Sequence, residues 1–335
     1  MNRMSLRYLV QRVGAFLGTI FIAATINFII PRITPQDPIA ALMGRMSSRG
    51  RMVENGAELI AMYRHQFGLD QPLAIQYLNY MKNLLLHVDL GYSLSYFPAK
   101  ATDVIMAAVP WTIGLLLVAN MVAFLIGNVL GALVSWPRFP KLPRVLIYGL
   151  MPLSAIPYYI MALLLVYLLA VIFPIFPLGG SLTVGSVRGW DWPTFVDLLK
   201  HAALPVLSIT FALIGFWALS MRGSMKMVMG DDFLTYAHAK GLREGRIFRS
   251  YAVRNALLPQ VTALAIDLGR MVSGAVLVEI IFNYPGVGSV LYNALRTADY
   301  FVIQGVVLFV IITVALATLF IDLLYPVLDP RIEYK

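Results

Sequence analysis

The chain has 335 residues, of which 59% are hydrophobic and only 13% charged, with a formal net charge of +9 and no cysteine. Soluble domains are roughly half apolar and a quarter charged, so this composition excludes an ordinary soluble domain and asks for lipid around the chain. The missing thiols exclude disulfides, thiolate metal sites and a cysteine nucleophile, while His65, His87, His201 and His238 are scattered without ligand spacing, so no metal site is expected.

About 20 apolar residues in a helix cross a hydrocarbon core of roughly 30 Å. Six runs meet that length: Val13 to Ile30, Val109 to Val134, Val145 to Phe176, Ala202 to Leu219, Leu257 to Phe282 and Phe301 to Leu324. The first follows Arg3, Arg7 and Arg12, as a secretory leader would. A leader core is about 7–15 residues ending at a small-residue cleavage site. This run is longer and closes on Pro31 and Arg32, so residues 1–31 read as a spanning helix. With the N-terminus inside, the inner segments collect Arg138, Lys141, Arg144, the basic stretch from Arg222 to Arg254, and Arg331 with Lys335, whereas the short outer loops hold only Arg188, Lys200 and Arg296. That asymmetry predicts cytoplasmic termini and assigns the positive charge to membrane topology rather than to nucleic acid.

Residues 32–100 are too many for a structureless connection and should carry helices of their own on the outer side. After Asp70-Gln71-Pro72, the residues Ile75, Leu78, Met81, Leu85 and Val88 recur at helical spacing among Gln76, Asn79, Lys82 and Asn83. The pattern predicts an amphipathic helix at the membrane surface or against the bundle, bracing the first span, with direct solute contact as the second reading. Residues 101–335 supply the remaining five spans. Between the third and fourth, Pro177-Leu178-Gly179-Gly180 with Trp190 and Trp192 reads as an interfacial anchor, with gating as the alternative.

The longest inner segment, 222–256, carries the sharpest local signals. Asp231 and Asp232 suit a helix start, where carboxylates meet free N–H groups and the positive end of the dipole. Phe233, Tyr236, Ala237 and Lys240 then fall on one face, and Gly241 is placed to end the helix in a left-handed conformation. The bland alternative is a basic segment lying on anionic lipid. No Gly-x-x-x-x-Gly-Lys-Ser/Thr occurs, so ATP would be hydrolysed by another polypeptide, and Gly286-Val287-Gly288 reads as turn glycines. Within the apolar runs, Asp267, Arg270, Glu279 and Asp322 are ionisable residues that should face the bundle interior or a water-filled path. Asp267 and Arg270, three apart, either pair to fix helix packing or line the path with Glu279.

The stretch Thr235-Tyr236-Ala237-His238-Ala239-Lys240-Gly241-Leu242, followed by Arg254-Asn255-Ala256-Leu257-Leu258-Pro259, resembles the EAA loop of ABC importer permeases of the oligopeptide and dipeptide branch. Glu279 to Gly288, Asp299-Tyr300 with Gln304-Gly305, Asp322 to Tyr325, Asp329-Pro330-Arg331, Phe67 to Pro72 and Asp89-Leu90-Gly91 are similar to further signatures of that branch. The resemblance implies an all-α integral membrane protein of six transmembrane helices with the type I ABC importer permease fold. It implies a multi-pass place in a bacterial-type inner membrane and no catalysis by this chain. It also implies a second homologous permease, one or two ABC ATPase subunits holding ATP and magnesium, and an extracytoplasmic solute-binding protein. Phe233, Thr235, Tyr236, Ala237, Lys240, Gly241 and Leu242 would then dock into an ATPase cleft. Two departures stand out: Tyr236 and His238 occupy positions commonly held by a threonine-like residue and an arginine, and Thr34-Pro35-Gln36-Asp37-Pro38 replaces a Pro-Gly-Asp-Pro pattern. The second leaves oligosaccharides open beside peptides as the solute. An ion-coupled secondary transporter is the competing class, but the internal repeat such folds often carry is not evident. A membrane hydrolase would need paired histidines, an activated serine or clustered carboxylates.

Overall fold

The computed structural model describes residues 6–33, 39, 43–44, 56–87, 89–186, 189, 191–270 and 276–328. They are helical almost throughout, and among them the sole bridge of β type pairs Tyr92 with Lys100. Four described helices are long and apolar enough to cross a membrane, spanning Tyr8–Ile33, Ala101–Ser135, Trp192–Met229 and Tyr300–Phe320. A bent pair adds a fifth crossing if its halves count as one. The chain forms two compact units, one built from residues 1–112, 272–276 and 285–335, the other from 113–271 and 277–284.

In the first unit, α1 (Leu6–Ile33) runs antiparallel to α12 (Tyr300–Leu328). Asn27 Nδ2 donates to the Gln304 carbonyl at 2.6 Å and Gln304 Nε2 returns a bond to the Asn27 carbonyl at 3.2 Å, so two buried amides satisfy each other's backbone. Toward the other end, Arg12 pairs with Asp322 at 3.0 Å and the Tyr8 hydroxyl donates to the Asp322 carbonyl. α2 (Gly56–Gln66) and α3 (Leu73–His87) lie between them in sequence. As expected, α3 follows the Asp70-Gln71-Pro72 turn and braces α1, but by a different face. Tyr77 and Tyr80 meet the Phe28 ring with centroids 5.3 and 5.4 Å away, and Met81 and Leu84 are buried with Ala24 and Leu308. Of the apolar set predicted to lie on the membrane surface or against the bundle, Met81 turns inward, Ile75, Leu78 and Leu85 are exposed, and Val88 lies outside the described residues. The rings of Tyr77 and Tyr80 fill more space against Phe28 than an aliphatic face would, and aromatic pairs of this geometry contribute about 0.5–1.5 kcal/mol beyond area burial. Asp299, fully buried, accepts from Ser93 Oγ at 2.6 Å and the Ser95 N–H at 2.9 Å, pinning the segment after α3 to the start of α12. The first turns of α4 (Ala101–Ser135) pack with α11 (Val287–Arg296) and α12 through Ile105, Val302 and Val306, and Thr112 Oγ1 accepts the free N–H of Val287 at the start of α11.

In the second unit, α7 (Trp192–Met229) is the central element. Trp217 is fully buried in edge-to-face contact with Phe124 of α4, and a Cβ on Gly127 or Gly131 would collide with α7 at Trp217 or the Ala218 carbonyl. Close backbone approach at small residues is how helices gain packing contacts where lipid tails offer no hydrophobic advantage. The third apolar run, expected as one span from Val145 to Phe176, is divided: α5 (Lys141–Leu150) and a 3₁₀ turn to Ala155 precede α6 (Tyr158–Val166) and a π-helical end at Ile172, and the axis turns by 107°. Pro157 causes the break, because it disfavours helical conformation at Ile156 and cannot donate an N–H. The fifth run is covered by α9 (Arg254–Arg270) and α10 (Val276–Ile281), and residues 271–275 between them lie outside the described ones. In the outer segment the Gly180 N–H donates to the Phe282 carbonyl at 2.7 Å, which seats the Pro-Leu-Gly-Gly turn on the end of α10. Trp192 is exposed beside Phe195, and Trp190 lies outside the described residues.

Candidate functional site

The candidate coupling element forms where α7 ends at Met229. Asp231 turns extended and α8 (Asp232–Ala239) begins. Asp231 occupies the N-cap position as expected, yet its carboxylate makes no cap hydrogen bond, so its contribution is limited to the field of the helix dipole. The C-terminus closes more firmly. Gly241 has φ +69°, its N–H donates to the His238 carbonyl at 2.9 Å, and the Leu242 N–H reaches the Ala237 carbonyl at 3.3 Å. This pair of bonds is a Schellman closure, which requires a residue at ease in the left-handed region.

Closure sets which side chains point outward. Leu234, 4% exposed, and Ala237 turn into a core with Ala132 of α4, Met221 and Met225 of α7, and Ile247, Ala252 and Ala256 beyond the turn. Leu242 packs on the same core. On the opposite side Phe233 is 38% and Tyr236 69% exposed, Thr235 and Lys240 are exposed too, and the Lys240 ammonium lies 5.5 Å from the centre of the Tyr236 ring. The residues expected on one docking face therefore divide: Phe233, Thr235, Tyr236 and Lys240 are presented, whereas Ala237 and Leu242 hold α8 to its own bundle and Gly241 ends it. Small buried side chains let the helix sit close. Burying a leucine contributes about 1.5–3 kcal/mol.

A charged network missed from the sequence holds the base of this element. Glu244 Oε1 meets Arg138 at 2.6 Å and His238 Nε2 at 3.3 Å, while His238 Nδ1 lies 2.8 Å from the Leu234 carbonyl. The Trp136 and Phe248 rings meet at a tilt, and Arg144 Nη2 donates to the Trp136 and Phe139 carbonyls in the turn that follows α4. A short turn (Glu244–Arg246) and a π-helical stretch (Ile247–Val253) then lead into α9.

Inside the bundle, Asp267 accepts from Asn120 Nδ2 at 2.6 Å, and Asn120 Oδ1 accepts from the Trp217 indole N–H at 3.2 Å. A carboxylate on an apolar helix is thereby fixed by an amide that an indole in turn orients. Asn120, one of two asparagines in an apolar run, was the available signal, since an amide in hydrocarbon seeks a partner across helices. Arg270's side chain lies outside the described residues, so the expected Asp267–Arg270 pair does too. Glu279 is fully buried on α10 and its carbonyl accepts the Tyr284 N–H at 2.8 Å. Burial, and then the Glu279 charge, push the Tyr284 phenol up to about 12, so it stays a neutral donor. Among the described residues no group of three potential metal ligands occurs.

The sequence profile described as binding-protein-dependent transport system inner membrane component matches residues 127–334, and the N-terminal profile of the same kind of component matches residues 5–115. The chain belongs to this family. It is accordingly a membrane permease component of an ATP-driven importer, and such permeases are not themselves enzymes. Relatives aligned over 98% of this permease and 99% of their own length include a putative peptide permease protein of Brucella ovis, 33% identical, and the dipeptide transport system permease protein of Escherichia coli, 29% identical. The oligopeptide transport system permease protein of Bacillus subtilis is 28% identical over the same shares.

Proposed function

We propose that this permease forms half of the translocation path of a peptide importer and is driven through α8 by an ATPase subunit. The observation that carries the reading is the division of α8 itself, with Leu234 and Ala237 buried in the bundle and Phe233, Tyr236 and Lys240 presented outward. An aromatic and cationic face on a helix anchored from behind suits a cleft in a partner, where rings supply area and the cation meets acidic groups. Moving a two-state pore from 1:99 to 99:1 takes about 5.5 kcal/mol of differential stabilisation, which paired ATPases closing on ATP and magnesium would deliver at this face.

The full assembly proposed has a second, homologous permease, one or two ATPases and an extracytoplasmic binding protein. The chain crosses the membrane six times with cytoplasmic termini, and residues 32–100 lie outside. Asp267, Arg270 and Glu279 are assigned to the border of the path. Peptides are preferred over oligosaccharides because the relatives' names specify peptides, dipeptides and oligopeptides. The Thr34 to Pro38 segment that raised the oligosaccharide alternative lies outside the described residues.

Gly241→Pro tests the coupling role. Proline cannot adopt φ +69° and lacks the N–H given to His238. Co-purification of ATPase subunits and solute-stimulated ATP hydrolysis should both fall, and undiminished values would refute docking through α8. Because the chain has no native cysteine, single cysteines at Lys240 and Thr183 should label from the inside and the outside respectively. Peptide uptake by the reconstituted assembly, with oligosaccharide as competitor, decides the solute, and Asp267→Asn should change solute preference if the path assignment holds.

A further inference from the structure

The first unit contains a cavity of about 420 Å³ enclosed by the end of α1, the end of α2, α3 and the start of α12. Its walls mix rings, among them Phe67, Tyr92 and Phe301, with carboxamides and one cation, a more polar lining than is usual for small-molecule pockets. Arg32 is the key group. Its guanidinium stacks 3.5 Å from the centre of the Phe28 ring, Nε and Nη2 both donate to Gln76 Oε1 at 3.2 Å, and Nη1 donates to the Phe28 carbonyl at 2.9 Å. Those three bonds leave two of the five N–H donors unused. No carboxylate of the described residues lies within ion-pair distance of Arg32. The acid on the cavity wall, Asp89, is already met by Lys100 at 2.6 Å and by the Gly91 N–H at 2.9 Å, and the remaining titratable side chain there besides the Tyr80 and Tyr92 phenols is His65.

The second observation is independent of the cation. The Tyr80 hydroxyl lines the same cavity, is shielded from solvent, and makes no hydrogen bond of acceptable geometry, although the Asn27 amide, which gives one N–H to the Gln304 carbonyl, lies close by. Burying a hydroxyl without a partner is costly, and a bound ligand or water is a usual way to satisfy one. A stacked guanidinium with two spare donors and a hydroxyl without a bond of acceptable geometry line one space of small-molecule size, and these are the groups by which proteins hold phosphate oxygens.

We propose that this cavity binds a phosphate-class oxyanion, held by Arg32 and the Tyr80 hydroxyl, with the carboxamides of Asn79 and Asn83 receiving the polar groups attached to it. Two sources offer that chemistry. One is the headgroup of an anionic phospholipid, whose chains would follow Ile22, Ile26 and Ile29, all exposed along the part of α1 that precedes Arg32. The other is a small soluble phosphate ester.

The test uses the full-length permease purified with the subunits it assembles with. Binding of phosphatidylglycerol and of diacylglycerol is measured by native mass spectrometry, and binding of glycerol phosphate by calorimetry. Retention of phosphatidylglycerol but not diacylglycerol, weakened at least about tenfold by Arg32→Gln, supports a lipid-fed site if glycerol phosphate does not bind and a soluble-ligand site if it does. Tyr80→Phe should weaken either probe several-fold, and Lys82→Gln, on an exposed part of α3, should leave both unchanged. Arg32→Lys keeps the charge without the planar fork and should retain intermediate affinity, which guards against a folding defect in Arg32→Gln. Equal retention of diacylglycerol, equal loss of affinity in Lys82→Gln, or unchanged affinity in Arg32→Gln would overturn the proposal.

Discussion

Two short helices flank the long apolar ones, and they are built inside out with respect to each other. In α8 the aliphatic residues Leu234 and Ala237 face inward while Phe233 and Tyr236 are exposed, whereas in α3 Tyr77 and Tyr80 face inward while Ile75, Leu78 and Leu85 are exposed. The contrast follows from what each outer face meets. Exposed rings beside a cation suit a protein partner, because aromatic residues concentrate at the cores of interfaces. Exposed aliphatics suit acyl chains, with which they exchange contacts at little cost.

Phe28→Ala should strike the α3 side hardest. It empties the seat of two tyrosines and should cost about 3–5 kcal/mol, read as a lower unfolding temperature and early proteolysis between α2 and α3. Leu78→Ser, on the opposite face, should change stability by less than about 0.5 kcal/mol, and a large loss there would mean that the exposed face also packs on protein. On the α8 side, Leu234→Ala should cost about 2–5 kcal/mol by leaving a cavity among Met221, Met225 and Ile247. Tyr236→Ala should leave the unfolding temperature in place while reducing ATPase co-purification. Gly241→Ala should cost about 1–2 kcal/mol, since the left-handed conformation is strained for any side chain although open space surrounds the site. Tyr77→Phe removes the 2.8 Å bond to Thr25 and should cost about 0.5–1.5 kcal/mol in the same thermal assay.

The ends of both helices were legible in the sequence because they depend on neighbours in the chain. Asp231, Gly241 and the turn at Pro72 act within a few residues of themselves. The inward face of α3 was not legible, because the helix carries apolar residues on both sides, and the shape of Phe28 on α1 selects the side with Tyr77, Tyr80, Met81 and Leu84. The same reason hid Asn120 as the partner of Asp267, 147 positions away, and Arg138 as the partner of Glu244. The long apolar runs announced membrane helices by composition alone, but the bend at Pro157 shows that apolar length does not guarantee one straight rod. At α8 the residues expected to dock divide between exposed and buried ones, since a helical face inferred from spacing cannot say which edge of it is occupied by the protein itself.

The π-helical stretch Ile247–Val253 has a geometric consequence for Asp267. Wider winding accommodates one more residue than an α-helix would over the same rise, and such an insertion is tolerated because the ladder of bonds closes again beyond it. If those residues rewound as ordinary α-helix with none removed, everything following would swivel by about 100° and Asp267 would turn away from Asn120. Shortening the stretch by one residue would instead convert it to regular winding and keep that carboxylate aimed where it is. The same shortening a few positions later, inside α9, would misdirect it, so the tolerance of this helix to deletion is confined to a single loosened coil.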